Sequence, residues 1–263
     1  MPFTPSFHRI AGIEARRRVF VLHGILSTNR TWRSFATRLA LLRPDLELLL
    51  VDHRGHGGSK GAPGAYDLAA CAADLVALAS EDPPVAVIGH SFGGKVALAY
   101  AERCTSPLQV WVVDAPPGIQ GNASEVLDVV AILRRLPPRP PALEPVRAAL
   151  LAAGLGEAVA SWMLTNLERA ADGAFDWKFD LDAVAQLLVS YRDVDYWPLV
   201  RRPPPHLDIR LVQGTRSDRW TPAESAELDA LPASRVVRLP AQHWVHIDAP
   251  DALLAVLSEA LPR

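Results

Sequence analysis

Four short apolar runs, each set off from the next by an amphipathic stretch, constrain this chain more than any other feature of its sequence. "RVFVLHG" (18–24), "LELLLVDHRGHGGS" (46–59), "PVAVIGH" (84–90) and "LQVWVVDAPPG" (108–118) are apolar without polar alternation and then break at glycine, histidine, aspartate or proline. Runs of this kind belong to strands buried on both faces, as in a parallel sheet. Between them, "TWRSFATRLALL" (31–42) places Trp32, Phe35, Leu39 and Leu42 on one helical face. "DLAACAADLVALAS" (67–80) does the same with Leu68, Cys71, Leu75 and Leu78, and "KVALAYAERC" (95–104) supplies a third helix. This rhythm predicts an α/β fold: a mostly parallel sheet with helices on both faces.

From about 119 to 203 the rhythm fails, and the chain reads as helices and loops with prolines clustered at "PPRPP" (137–141) and "RPPP" (202–205). Ordinary αβ loops run ~2–6 residues, so this stretch is too long for a crossover. Helical spacing in "EVLDVVAILRRL" and "AVASWMLTNLERA" predicts a folded helical cap over 119–203, inserted into a core made of 1–118 and 204–263. The core resumes with strands "DIRLVQG" (208–214) and "SRVVRLP" (234–240) and closes with helix "DALLAVLSEAL" (251–261).

Composition narrows the class of function. A hydrophobic fraction of 49% with 21% charged residues is that of a soluble globular protein. A net charge of −2 offers no field for nucleic acid. No run of 18 apolar residues suggests a membrane span, and the opening "MPFTPSFHRIAGIEARRR" lacks the apolar core of a signal peptide, so a cytosolic location is expected. Two cysteines, Cys71 and Cys104, are too few for a disulfide framework. Nothing in the sequence speaks to oligomeric state.

"VAVIGHSFGGKVALAY" (85–100) fits two devices. From Gly89 it nearly spells a P-loop, but Val96 follows Lys95 where a P-loop needs a hydroxyl for Mg²⁺. No metal site is read here, and Lys95 reads as an exposed residue in the first turn of a helix. The same stretch also spells Gly-His-Ser-Phe-Gly, an elbow whose glycines flank Ser91 where side chains would crowd a sharp strand-to-helix turn. A serine nucleophile needs a base. His243, after the last strand in "LPAQHWVHIDAP", is the choice, with His246 as its rival and a packing residue otherwise. The oxyanion would rest on the N–H groups of Ile25, after the strand ending His23-Gly24, and of Phe92, just after the serine. His23 and His90 read as turn residues; His8, His53, His56 and His206 lie in loops or near the terminus.

With "VLHG", "VDHRGHGGS", "GHSFGGKVAL" and "HWVHIDAP" in this order, the chain resembles the α/β-hydrolase fold family over almost its whole length. "WMLTNLERAADGAFDWKFDLDAV" (162–184) is similar to the cap of a small-esterase branch. That resemblance implies a cofactor-free enzyme hydrolysing short to medium acyl esters or thioesters, with a small-molecule substrate. One departure is Gln242, where members usually carry glycine before the histidine. For the third member of the triad the fold points first to Asp218, in "QGTRSDRWTP", where Thr221, Pro222 and Glu224 form a helix start behind it. Asp114, in "VVDAPPG", is the alternative, a position that some members of the branch use. Trp162, Met163, Trp177 and Phe179 are candidates to line an acyl pocket under the cap. The same triad also serves perhydrolysis, C–C bond hydrolysis and acyl transfer, and the same fold serves non-catalytic binding modules.

Overall fold

The computed structural model describes residues 3–120 and 124–263. The first two residues and 121–123 of the predicted insertion lie outside the described residues. The strands are β1 (Phe7–Ala11), β2 (Arg17–Leu22), β3 (Leu46–Val51), β4 (Ala86–His90), β5 (Leu108–Val113), β6 (Leu167–Arg169), β7 (Phe175–Trp177), β8 (Leu207–Gly214) and β9 (Val236–Leu239). Seven of them form one sheet in the order β1-β3-β2-β4-β5-β8-β9, parallel throughout except that β1 runs antiparallel beside β3.

The apolar runs become central strands because both faces of each are covered. In β2, Phe20 and Leu22 join one core cluster while Val19 and Val21 join the other, and β4 and β5 divide in the same way. Helices α1 (Arg33–Leu42) and α11 (Pro250–Ala260) share the cluster of Val19 and Val21, using Phe35, Leu39, Leu253 and Leu257. Helices α2 (Leu68–Leu78) and α3 (Phe92–Ala101) share the opposite cluster. Two further helices, α9 (Pro222–Asp229) and α10 (Val245–Asp248), lie on the loops that follow β8 and β9. The capping box read from Thr221 and Glu224 is present, with the Thr221 side chain on the Glu224 N–H.

Between β5 and β8 stand α4 (Ser124–Leu133), α5 (Leu143–Ala152), α6 (Glu157–Thr165), α7 (Leu181–Asp193) and α8 (Trp197–Arg201). The inserted segment is not wholly helical. Helix α6 stops at Thr165, and β6 and β7 form an antiparallel ribbon pairing Leu167 with Trp177. The helical spacing of "NLERA" thus gives way to strand once the chain can pair with itself. The edge strand β1 was also not read from the sequence. No helix among the described residues is long and apolar enough to cross a membrane.

Candidate active site

Ser91 stands where β4 turns into α3, at the carboxyl end of the sheet, where open α/β folds place their ligands. Its backbone lies at φ 52 and ψ −120, a conformation costly for a residue with a side chain. The turn is tight enough to demand both flanking glycines. A Cβ on Gly89 would lie 2.1 Å from the Gly93 carbonyl oxygen, and one on Gly93 would lie 2.6 Å from that of Leu22. The Ser91 N–H donates to the Val113 carbonyl at 2.9 Å, which fixes the elbow to the neighbouring strand.

His243 reaches the serine from the loop after β9. Its Nε2 lies 3.1 Å from Ser91 Oγ and its Nδ1 lies 2.7 Å from Asp114 Oδ2. A carboxylate can only accept, so Nδ1 carries the proton and Nε2 is free to accept from the serine hydroxyl. His90 secures the loop by donating from Nε2 to the His243 carbonyl at 2.8 Å. Burial holds the His90 imidazole well below its usual titration range, so it remains neutral. Gln242 does not disturb this arrangement: its N–H donates to Asp248 Oδ2 at 3.0 Å.

The carboxylate behind His243 is that of Asp114, not the first choice, Asp218. Asp218 is exposed and pairs with Arg219 at 3.3 Å. Asp114 is buried at the end of β5, in the left-handed region at φ 48. Besides His243, it receives Ser217 Oγ at 2.6 Å, Trp220 Nε1 at 2.8 Å and the Gly214 N–H at 3.0 Å. The loop expected to supply the acid instead supplies three donors to it. Ser217, Trp220 and Gly214 carried no sequence signal for that part.

On the other side of the serine, a Cβ on Gly24 would lie 3.4 Å from Ser91 Cβ, so the loop after β2 runs directly against the elbow. Among the described residues, no acceptor is found for the N–H of Ile25 or of Phe92. Leu26 is the third non-glycine residue with positive φ, at 55. Thus the three strained backbones among the described residues all lie on the three loops that meet here.

A model of the alpha/beta hydrolase family matches residues 19–256. The chain belongs to that family. This alpha/beta hydrolase is 28% identical over 99% of its length to a mouse protein named sn-1-specific diacylglycerol lipase ABHD11, of which 86% is covered. It is also 28% identical to the lipase LipV of Mycobacterium tuberculosis, covering 76% of this chain and 74% of that one. Among solved structures, a marine microorganism esterase superposes with a TM-score of 0.79 at 23% identity, over 98% of this chain and 99% of that one.

The remaining predicted residues of the hydrolase fall in several places. His246 is buried, stacked on Trp32 at 4.2 Å between ring centroids, and among the described residues neither ring nitrogen has a hydrogen-bond partner. Burial beside His243 lowers it to about 3, which suits a packing residue. Trp162 leans on Trp244, the neighbour of His243, at 5.2 Å. Met163 is fully buried in the core, and Phe179 is buried against the His56 ring. Trp177 faces a cleft of about 490 Å³ lined by Asn29, Asp52, Lys60 and Lys178, and neither Ser91 nor His243 lines it.

Lys95 is the reverse of its reading as an exposed residue. It is fully buried, and its Nζ donates to the carbonyls of Gly118, Tyr191 and Val194 at 2.6, 2.7 and 2.9 Å. It therefore clamps the elbow helix to Gly118, just before the insertion, and to the end of α7 within it.

Proposed function

We propose that this hydrolase cleaves carboxylic esters, and thioesters of the same kind, with short to medium acyl chains, through an acyl-enzyme on Ser91. The observation that carries the reading is the His243 ring, held between Ser91 Oγ at 3.1 Å and Asp114 Oδ2 at 2.7 Å. His243 Nε2 takes the serine proton as Oγ attacks the ester carbonyl, and the tetrahedral oxyanion rests on the N–H groups of Ile25 and Phe92. As the intermediate collapses, the C–O bond to the leaving group breaks and His243 returns the proton to the departing alkoxide. Water then attacks the acyl-enzyme, His243 takes its proton, and the acid leaves as Ser91 regains a hydrogen. Asp114 holds the ring in the tautomer this cycle requires and stabilises its cationic form.

The inserted segment over 119–203 serves as the cap of the acyl pocket, with Trp162 packed on Trp244 of the His243 loop. The lipase names of two relatives support an ester substrate. A panel of p-nitrophenyl esters from acetate to laurate tests the reading. Turnover by the parent protein, strongest for short to medium chains and lost in Ser91→Ala, is the expected result. A parent that hydrolyses none of the panel faster than buffer, or a Ser91→Ala variant that keeps its rate, overturns it.

A further inference from the structure

"VDHRGHGGS" (51–59) is a sequence motif with no part in the chemistry above, yet its His56 is bonded to the loop that carries Ile25. We infer that His56 is a positioning residue that sets the oxyanion-binding N–H of Ile25 by holding the Leu26 backbone. The inference rests on the proposed role of Ile25.

The Leu26 N–H donates to His56 Nε2 at 3.2 Å, and His56 Nδ1 lies 3.1 Å from the Arg54 carbonyl. An imidazole with one donor and one acceptor satisfies both contacts only when neutral, with its proton on Nδ1. Burial, reinforced by the neighbouring His23, lowers His56 to about 3, so that state persists at any working pH. The bond falls on one of the strained residues, Leu26 at φ 55, and strain of that kind persists only where the surroundings impose it. Its amide is one residue beyond that of Ile25, so releasing Leu26 frees the peptide that orients the Ile25 N–H. A second attachment lies three residues on, where Asp52 accepts from the Asn29 N–H at 2.7 Å and from the Gly58 N–H at 3.0 Å.

His56 is itself held from the inserted segment. The Gly57 N–H donates to the Lys178 carbonyl at 2.6 Å, the Asp180 N–H donates to that of Gly55 at 2.8 Å, and the Phe179 ring lies 6.3 Å from the imidazole. One route from the seated insertion to the loop beside Ser91 thereby runs through the His56 side chain.

The test compares His56→Leu with His56→Gln on a p-nitrophenyl ester, and measures inhibition by a trifluoromethyl ketone that forms a serine adduct with an oxyanion. An N–H group that acts only on the developing charge affects kcat rather than KM. His56→Leu should lower kcat by about 10- to 100-fold with KM within about threefold, and weaken the ketone by a similar factor. His56→Gln, whose amide can accept from Leu26, should recover most of the loss. If His56→Leu does not fold, His56→Asn, too short to reach Leu26, takes its place with the same expected loss. A folded His56→Leu or His56→Asn variant with parental kcat, or a loss seen in KM alone with ketone affinity unchanged, overturns the inference. All these variants keep Ser91 and His243, so an active parent with indifferent His56 variants refutes this inference alone, whereas an inactive parent refutes the ester reading.

Discussion

Replacing Asp114 by asparagine changes one oxygen to an amide nitrogen, and the structure dictates where that nitrogen can go. Oδ1 accepts from Trp220 Nε1 at 2.8 Å and the Gly214 N–H at 3.0 Å, both of which can only donate. An NH₂ placed there would leave buried donors facing one another, at about 1–3 kcal/mol for each unmade bond. The amide therefore turns its NH₂ toward His243 and Ser217. The Ser217 hydroxyl can rotate to accept, but His243 can accept only by moving its proton from Nδ1 to Nε2. The proton then points at Ser91 and the base is lost. In serine proteases a wrong tautomer of this kind costs up to ~10⁴ in kcat, about 5 kcal/mol of barrier. Asp114→Asn should therefore remain folded, lose about three to four orders of magnitude in kcat on a p-nitrophenyl ester, and change KM little. Asp218→Asn, exposed beside Arg219, should stay within about twofold of the parent. Near-full activity in Asp114→Asn together with inactivity in Asp218→Asn would refute the assignment.

Two other predictions concern stability. Burial lowers His23 to about 4, and His56 and His246 to about 3, while the unfolded chain takes up protons near the ordinary 6.5. The unfolded state binds more protons below 6.5, so stability falls as pH drops, by about 2 kcal/mol for each of these histidines at pH 5; urea unfolding with equal midpoints at pH 7 and 5 would contradict this. Burial also lowers Lys95 to about 8 from an ordinary 10.5, so the folded protein releases this proton before the unfolded chain does. Relative to Lys95→Met, the parent should gain stability, on the order of 3 kcal/mol, between pH 8 and 10.5; a difference that stays flat or falls across that window would show the charge to be well solvated by its three carbonyls.

The sheet was legible because its central strands are apolar on both faces, a pattern that survives without knowledge of neighbours. β1 escaped because "FHRIA" lies on an edge and mixes exposed with half-buried positions. The β6–β7 ribbon escaped because each strand has three residues, too few to show a period of two. Ser91 and His243 could be read from their places at strand ends, and the elbow glycines from the turn they must make. The acid could not be chosen that way. Asp114 and Asp218 both follow core strands, and what separates them is that Ser217 and Trp220, the flanking residues of Asp218's own loop, fold back to bond Asp114. Lys95 was misread for a related reason: its three acceptors come from residues 23 to 99 positions away, and no local pattern announces them.

Every step proposed above requires Ser91 to be an activated nucleophile, and covalent labelling tests that most directly. The protein is treated with an organophosphorus fluoride, which phosphylates a serine only where a base and an oxyanion site act on it together, and the digest is read by mass spectrometry. One adduct per chain is expected, on the peptide containing Ser91, formed slowly or not at all in His243→Ala. An unlabelled protein, or a label carried by another residue while Ser91 stays free, would contradict it.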